Sequence, residues 1–163
     1  MRLDAGQRRR LLAHPAGWIA LGFGSGLAPV APGTAGSLAA LLPWIALREL
    51  PPLYYAVMLA VTFGLGIWAC GWAAKTLASD DPGAVVWDEF VGLWLALLPL
   101  VLQPRSALWI CIGFILFRVF DIWKPWPVSW ADREISAGLG VMLDDAIAGA
   151  YAAVALALCL HFT

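Results

Sequence analysis

Apolar residues are gathered into five segments that polar or Pro-containing connections separate. The segments cover residues 35–47, 53–74, 90–102, 107–120 and 146–162. Only the second reaches the ~20 residues that a straight membrane-spanning helix needs. The shorter ones suffice if their polar ends are included or the bilayer thins locally. The pattern predicts an all-α, polytopic membrane helical bundle with about four to five membrane helices.

The connections between the segments are of two kinds. Residues 48–52 and 103–106 form short, Pro-marked turns, as antiparallel neighbouring helices require. Residues 75–87 and 121–145 form long polar connections. If every segment crosses the bilayer once, the long connections and the basic N-terminus (1–15) lie on one side.

Lys and Arg are distributed unequally between the two sides of this threading. One side carries Arg2, Arg8, Arg9, Arg10, Lys75, Arg118, Lys124 and Arg133, and the other carries Arg48 and Arg105. The positive-inside rule therefore places the first side in the cytoplasm.

Composition supports a membrane protein and excludes several other classes. Hydrophobic residues make up 62% of the 163 residues and charged residues 13%, whereas soluble domains have about half and a quarter. The net charge of −1 provides no basic field for nucleic acid. The three cysteines lie in apolar runs without a CxxC pair, so neither a disulfide framework nor a zinc site is expected. We expect a single membrane-embedded domain, 1–163, with the lipid bilayer as its surroundings.

Acidic residues fall at the predicted cytoplasmic ends of three helices. Asp88 and Glu89 open the third segment, Asp121 closes the fourth, and Asp144 and Asp145 open the fifth. Each pair alone could be a helix cap that complements the helix dipole. Asp121 follows a helix C-terminus and cannot be such a cap, so its expected partner is a basic neighbour or a cation. Together the five carboxylates predict a site for a hard divalent cation such as Mg²⁺.

Residues 22–37 are too rich in Gly and Pro for a regular helix and too apolar for a solvated loop. We expect a re-entrant or surface segment that folds into the site. Gly33 and Thr34 lead into the first apolar segment, with Thr34 as a plausible N-cap. Amides at such a helix start attract phosphate. The alternative is a close-packed, Gly-lined helix crossing.

Two basic residues flank Asp121. Arg118 offers bidentate binding to phosphate, and Lys124 offers a point charge. The alternative for both is that they extend toward lipid headgroups.

Two other functions fit some of these features. An ion-coupled transporter also uses discontinuous helices and intramembrane acids. Its acids should lie near the bilayer midplane and its halves should repeat, neither of which the sequence indicates. A phosphatase or phosphotransferase acting on another lipid phosphate is the second alternative.

Four separated motifs resemble, in order and spacing, those of the phosphatidylglycerophosphatase A family. They are Gly24-Ser25-Gly26-Leu27 with Pro32-Gly33-Thr34-Ala35-Gly36-Ser37-Leu38, then Asp88-Glu89-Phe90-Val91-Gly92, then Phe117-Arg118-Val119-Phe120-Asp121-Ile122-Trp123-Lys124-Pro125, then Asp144-Asp145-Ala146-Ile147-Ala148-Gly149. The resemblance implies a bacterial cytoplasmic-membrane enzyme of phospholipid biosynthesis with a cytoplasm-facing site. Its implied reaction is Mg²⁺-dependent hydrolysis of phosphatidylglycerophosphate to phosphatidylglycerol and phosphate.

The residues and the resemblance together assign roles to the site residues. The expected catalytic residues are Asp88, Glu89, Asp121 and Asp145, and the expected Mg²⁺ ligands are Asp88, Glu89, Asp121, Asp144 and Asp145. The expected substrate-binding residues are Ser25, Gly33, Thr34, Ser37, Arg118 and Lys124. The nucleophile is either water or the carboxylate of Asp121 or Asp88. The number of ions and the oligomeric state also stay open.

Overall fold

Helices are the regular elements of the computed structural model in the residues that it describes, 3–79, 82–103 and 106–162. They are α1 (Ala5–Leu12), α2 (Pro15–Ala20), a 3-10 helix (Gly22–Leu27), α3 (Pro32–Leu47), α4 (Pro52–Leu77), α5 (Trp87–Ala96), α6 (Leu98–Leu102), α7 (Ala107–Trp123), α8 (Val128–Glu134) and α9 (Ala137–His161). The prediction of an all-α fold is confirmed for this part of the chain. Arg2 and Arg105, used above for orientation, lie outside it.

Two helices of the described residues, α4 and α9, are long and apolar enough to cross a bilayer. This number is lower than the four to five predicted, because α3 and α7 have only 16 and 17 residues and the third segment is divided. The outer face of α4 exposes an apolar stripe at helical spacing: Leu53, Val57, Val61, Leu65 and Trp68. An apolar surface of this extent is typical of contact with lipid rather than water.

The third apolar segment is divided in two by a proline. α5 ends at Ala96 and α6 begins at Leu98, with Pro99 in the first turn of α6. Proline has no N–H to continue the hydrogen bonds of the preceding helix, and its ring collides with the preceding turn. The segment therefore continues as a second short helix.

The fifth segment starts earlier than predicted. α9 begins at Ala137, so Asp144 and Asp145 lie two turns inside the helix, and the prediction that they open it is wrong. In the first turn of α9, Gly138 packs so closely on Ile67 and Gly71 of α4 that a Cβ at this position would overlap their backbone atoms. The connection 121–145, read as a loop, also contains α8.

The Gly/Pro-rich segment 22–37 divides into the 3-10 helix and the first turns of α3. α3 begins at Pro32 after Ala31, whose φ of 46° is left-handed, and Ala31 is the N-cap residue. Thr34 is therefore in the first turn, and its prediction as the N-cap is wrong. Proline suits the first helical position because its missing N–H would have no partner there. Gly26 packs on the backbone of Ala84, so the segment lies against the chain that leads into α5.

Helix α5 lies at the centre of the bundle and packs against α3, α4, α7 and α9. Gly149 of α9 contacts the backbone of Gly92 of α5, which leaves no room for a Cβ at this crossing. This close approach brings the acidic start of α5 beside the Asp144–Asp145 turn of α9. The central helix thus positions the residues of the candidate site.

Candidate active site

A cavity of about 360 Å³ opens where α3 and α5 start and α7 ends. Its described lining residues are Gly33, Gly83, Val85, Asp88, Glu89, Asp121, Lys124, Asp132, Arg133, Ile135, Ser136, Ala137, Gly140, Val141, Asp144 and Asp145. The cavity thus brings together all five predicted acidic residues, which come from three helices. Gly33 is the contribution of α3.

The charges on the wall of this cavity are strongly unbalanced. Six of the described lining residues are acids, namely Asp88, Glu89, Asp121, Asp132, Asp144 and Asp145, and two are bases, namely Lys124 and Arg133. A phosphate ester would be repelled by such a wall. A cation in the cavity would offset this repulsion.

Arg118 holds two of the acids from behind the cavity wall. Its guanidinium donates to the carboxylate of Glu89, lies 3.0 Å from Oδ2 of Asp121, and donates to Oγ of Ser37 over 3.2 Å. The Ser37 hydroxyl in turn donates to Glu89. Charge-assisted bonds of this kind are stronger than neutral ones and fix direction. The arrangement fixes the orientation of Glu89 and Asp121, and it confirms that Asp121 pairs with a basic neighbour.

Lys124 connects three elements at the mouth of the cavity. It caps α7 with a left-handed φ of 47°, and its Nζ lies 2.6 Å from both Oδ1 of Asp132 and Oδ2 of Asp144. Burial lowers the pKa of Lys124, but the hydrogen bonds and charges of the two carboxylates outweigh this and raise it above its ordinary value. Lys124 therefore stays charged and ties α7 to α8 and α9.

Two acids of α9 retain carboxylate oxygens that accept no hydrogen bond. Oδ1 of Asp144 and Oδ2 of Asp145 are buried and have no hydrogen-bond partner among the described residues. Asp145 is 3% exposed, and its carboxylate is repelled by its four acidic neighbours in the cavity. Buried, unpartnered carboxylate oxygens are costly unless a cation or a proton reaches them.

The donor set fits a hard cation such as Mg²⁺, which prefers oxygen ligands. Within residues 3–79, 82–103 and 106–162, no three Asp, Glu, His or Cys side chains are grouped closely enough to hold one ion together. The five predicted ligands thus do not form one coordination group. Mg²⁺ commonly binds through one or two carboxylates, completing its shell with water and substrate phosphate, and the open oxygens of Asp144 and Asp145 meet that requirement.

The predicted substrate-binding residues fall into two groups. Gly33 and Lys124 line the cavity. Ser25, Thr34, Ser37 and Arg118 are not among its lining residues. Ser25 donates to the carbonyl oxygen of Gly22 over 2.9 Å within its own turn. The side chains of Ser37 and Arg118 act on Glu89, so the structure places them as supports of an acid.

Three polar residues of the cavity wall were not predicted as site residues: Asp132, Arg133 and Ser136. They lie in and after α8, inside the stretch read as a loop, and Arg133 was used only to orient the chain. The available signal was the Asp132-Arg133 pair between a Trp-rich stretch and the fifth segment. A helix over this stretch would place Asp132 and Arg133 near the neighbouring acids.

An acid-lined cavity with two bases on its wall, at one end of an apolar helical bundle, has the charged groups that an enzyme acting on phosphate esters would use together with a cation. Comparison with protein families matches residues 18–160 to phosphatidylglycerophosphatase A. The chain belongs to the phosphatidylglycerophosphatase A family and is a phosphatase.

Individual relatives agree with this assignment. The chain is 40% identical over 150 residues to phosphatidylglycerophosphatase A of Escherichia coli, covering 92% of this chain and 86% of the relative. It is 40% identical over 144 residues to the protein of the same name from Haemophilus influenzae, covering 88% and 87%. A putative phosphatidylinositol-3-phosphatase of Bacteroides thetaiotaomicron is 42% identical over 144 residues, covering 85% and 89%. No solved structure matches the chain.

Proposed function

We propose that the chain is a Mg²⁺-dependent phosphatase that hydrolyses phosphatidylglycerophosphate to phosphatidylglycerol and phosphate in phospholipid biosynthesis. The observation that carries the proposal is the acid-lined cavity, in which two α9 carboxylates keep open oxygens. The choice of substrate rests on the two relatives named phosphatidylglycerophosphatase A. The lipid stays in its leaflet while its headgroup enters the cavity at the helix ends.

The cation would be held by the open Oδ1 of Asp144 together with one acid of the other helices, Asp88 or Asp121, so that Oδ2 of Asp145 stays open for proton transfer. When bound, Mg²⁺ offsets the charge of the acids and polarises the phosphoryl group. Glu89 and Asp121 are held in place by Arg118. Lys124 supplies a positive charge beside the phosphate oxygens.

Asp145 is the residue best placed to move a proton. Its Oδ2 accepts no hydrogen bond from the described residues, whereas Glu89 and Asp121 are engaged by Arg118. Oδ2 of Asp145 therefore accepts the proton of a water molecule that attacks phosphorus in line, and returns it to the leaving alkoxide. An attack by a carboxylate of Asp121 or Asp88 would instead form an aspartyl phosphate.

The membrane arrangement is also part of the proposal. The crossings are α3, α4, α5 with α6, α7 and α9, of which α4 and α9 have full spanning length. With α4 and α9 at ~1.5 Å per residue, each reaches about 38 Å and extends beyond the hydrocarbon core. The cavity then faces the cytoplasm, the side rich in Lys and Arg. The C-terminus then lies outside the cytoplasm. A reporter enzyme that works only outside the cytoplasm should therefore be active when it is fused after the last residue.

Phosphate release from defined lipids tests the proposed reaction. The purified protein in nonionic detergent micelles should release phosphate from phosphatidylglycerophosphate with Mg²⁺, lose that activity in EDTA, and regain it when Mg²⁺ is restored. Equal rates in EDTA would refute the metal dependence. Release from phosphatidic acid without release from phosphatidylglycerophosphate would refute the substrate.

A phosphatase of another headgroup phosphate is the second candidate, and the Bacteroides thetaiotaomicron relative favours it. Phosphatidylinositol 3-phosphate, like phosphatidylglycerophosphate, carries a terminal phosphomonoester on a headgroup that a phosphodiester joins to the lipid. The same release assay with phosphatidylinositol 3-phosphate separates the two. The proposed function requires the higher kcat/KM on phosphatidylglycerophosphate.

A further inference from the structure

Arg133 differs from the other bases of the site in its partners. Arg118 pairs with Glu89 and Asp121, and Lys124 pairs with Asp132 and Asp144. Arg133 lines the same cavity, yet in the described part of the chain it has no ion pair. Arg133 is exposed, so its guanidinium can bind an anion that enters the cavity from outside.

The position of Arg133 matches the membrane surface. It lies on α8, whose exposed side carries Trp130, and Trp123 and Trp126 are exposed just before this helix. Tryptophan concentrates at the level of the lipid headgroups. α8 therefore lies at that level, with Arg133 on the side of the helix that faces the cavity.

The proposed substrate offers two anionic groups at different distances from its acyl chains. The terminal phosphomonoester is the group that reacts. The phosphodiester that joins the headgroup to diacylglycerol stays at the membrane surface. A base at that level, on the wall of the reaction cavity, meets the second group while the first reaches the acids.

We propose that Arg133 binds the phosphodiester of the lipid substrate and thereby selects phospholipids whose terminal phosphate is one headgroup away from the lipid. Arginine suits this role because its planar guanidinium binds two phosphate oxygens at once. This role rests on the proposed function. It adds a residue that recognises the phosphodiester, the group that does not react. Arg133 is a specificity residue and takes no part in proton transfer.

The reaction product isolates this contact for measurement. Phosphatidylglycerol keeps the phosphodiester and lacks the phosphomonoester, whereas inorganic phosphate resembles only the leaving group. Both are titrated as inhibitors of phosphate release in nonionic micelles, for the wild type, Arg133→Gln and Arg133→Lys. Arg10→Gln is the matched control, since Arg10 is an exposed arginine of α1 that is absent from the cavity wall.

Arg133→Gln should weaken inhibition by phosphatidylglycerol about tenfold, the usual effect of losing a charge-assisted hydrogen bond. Inhibition by inorganic phosphate should stay unchanged. The variant should raise KM for phosphatidylglycerophosphate to a similar extent with little change in kcat, the pattern of an interaction equal in ground and transition states. Arg133→Lys should recover part of the loss, and Arg10→Gln should behave as the wild type.

Several results would overturn this role. They are an equal weakening of both inhibitors, no change in either, the same loss in Arg10→Gln, or a wild type that phosphatidylglycerol does not inhibit. If Arg133→Gln does not fold, Arg133→Lys still decides, because losing the bidentate contact must weaken phosphatidylglycerol inhibition selectively. A wild type active only on another lipid phosphate would refute the proposed function. The inhibition test would then be run on that activity.

Discussion

The ammonium group of Lys124 lies 2.6 Å from a carboxylate oxygen of Asp144, and this ion pair ties the end of α7 to the second turn of α9. The Asp144 side chain is 10% exposed, whereas Asp132, the second partner of Lys124, is 36% exposed. Water screens the exposed pair more strongly. The bond to Asp144 should therefore contribute more to stability than the bond to Asp132.

Replacing Lys124 by Gln should lower the free energy of unfolding by about 1.5–3 kcal/mol, the range for hydrogen bonds to charged groups. In double-mutant cycles, the coupling of Lys124 to Asp144 (Asp144→Asn) should exceed the coupling to Asp132 (Asp132→Asn). Chemical denaturation in detergent measures both. Additive effects of Lys124→Gln and Asp144→Asn would show that the ion pair makes no net contribution.

Asp145→Asn should separate stability from activity. The amide removes a buried charge that four neighbouring acids repel, so without Mg²⁺ the variant should melt at a higher temperature than the wild type. Phosphate release should fall by at least about a hundredfold, the usual share of a general base. Thermal melting and phosphate release, each with EDTA and with Mg²⁺, measure these effects.

Mg²⁺ should also raise the melting temperature of the wild type more than that of Asp145→Asn. Glu49→Gln is the control, because Glu49 is 72% exposed, pairs with Arg48 and is absent from the cavity wall. If the activity of Asp145→Asn stays within twofold of the wild type, Asp145 takes no part in proton transfer.

The sequence predicts the helical class and the acidic set because both depend on local patterns. Asp88 and Glu89 stand in the first turn of α5, where acids complement the helix dipole. The start of α9 could not be predicted, since Gly138 weakens a helix by itself and its close packing on Ile67 and Gly71 of α4 is a contact between residues far apart in sequence. The supporting roles of Ser37 and Arg118 likewise depend on contacts with Glu89, from which they are 52 and 29 residues distant in sequence.

Gly33→Ala should damage the site through one added methyl group. A Cβ at Gly33 would overlap a carboxylate oxygen of Glu89 and lie 3.7 Å from the guanidinium of Arg118. The Glu89 carboxylate would have to leave the position that Arg118 and Ser37 hold. We expect kcat to fall about tenfold or more, as misplacement of about 1 Å in an active site can cost a hundredfold.

Gly64→Ala is the matched control for Gly33→Ala. A Cβ at Gly64 of α4 has no atom within 4 Å among the described residues, so this change should keep activity. It should also stabilise the protein by about 0.5–1 kcal/mol, because alanine suits a helix interior better than glycine. Equal kcat values for Gly33→Ala and Gly64→Ala would contradict the close contact of α3 with Glu89.

Tyr55→Phe should lower stability without affecting catalysis, because the Tyr55 hydroxyl connects three helices away from the cavity. Tyr55 of α4 accepts a hydrogen bond from the indole of Trp44 over 3.2 Å and donates to the carbonyl oxygen of Trp94 over 2.6 Å. Without the hydroxyl, the buried Trp44 N–H loses its partner, which costs about 1–3 kcal/mol. The neighbouring Tyr54 is 65% exposed, so Tyr54→Phe should leave stability unchanged. Chemical denaturation and phosphate release on both variants decide: a lower kcat with unchanged stability in Tyr55→Phe would contradict this structural role.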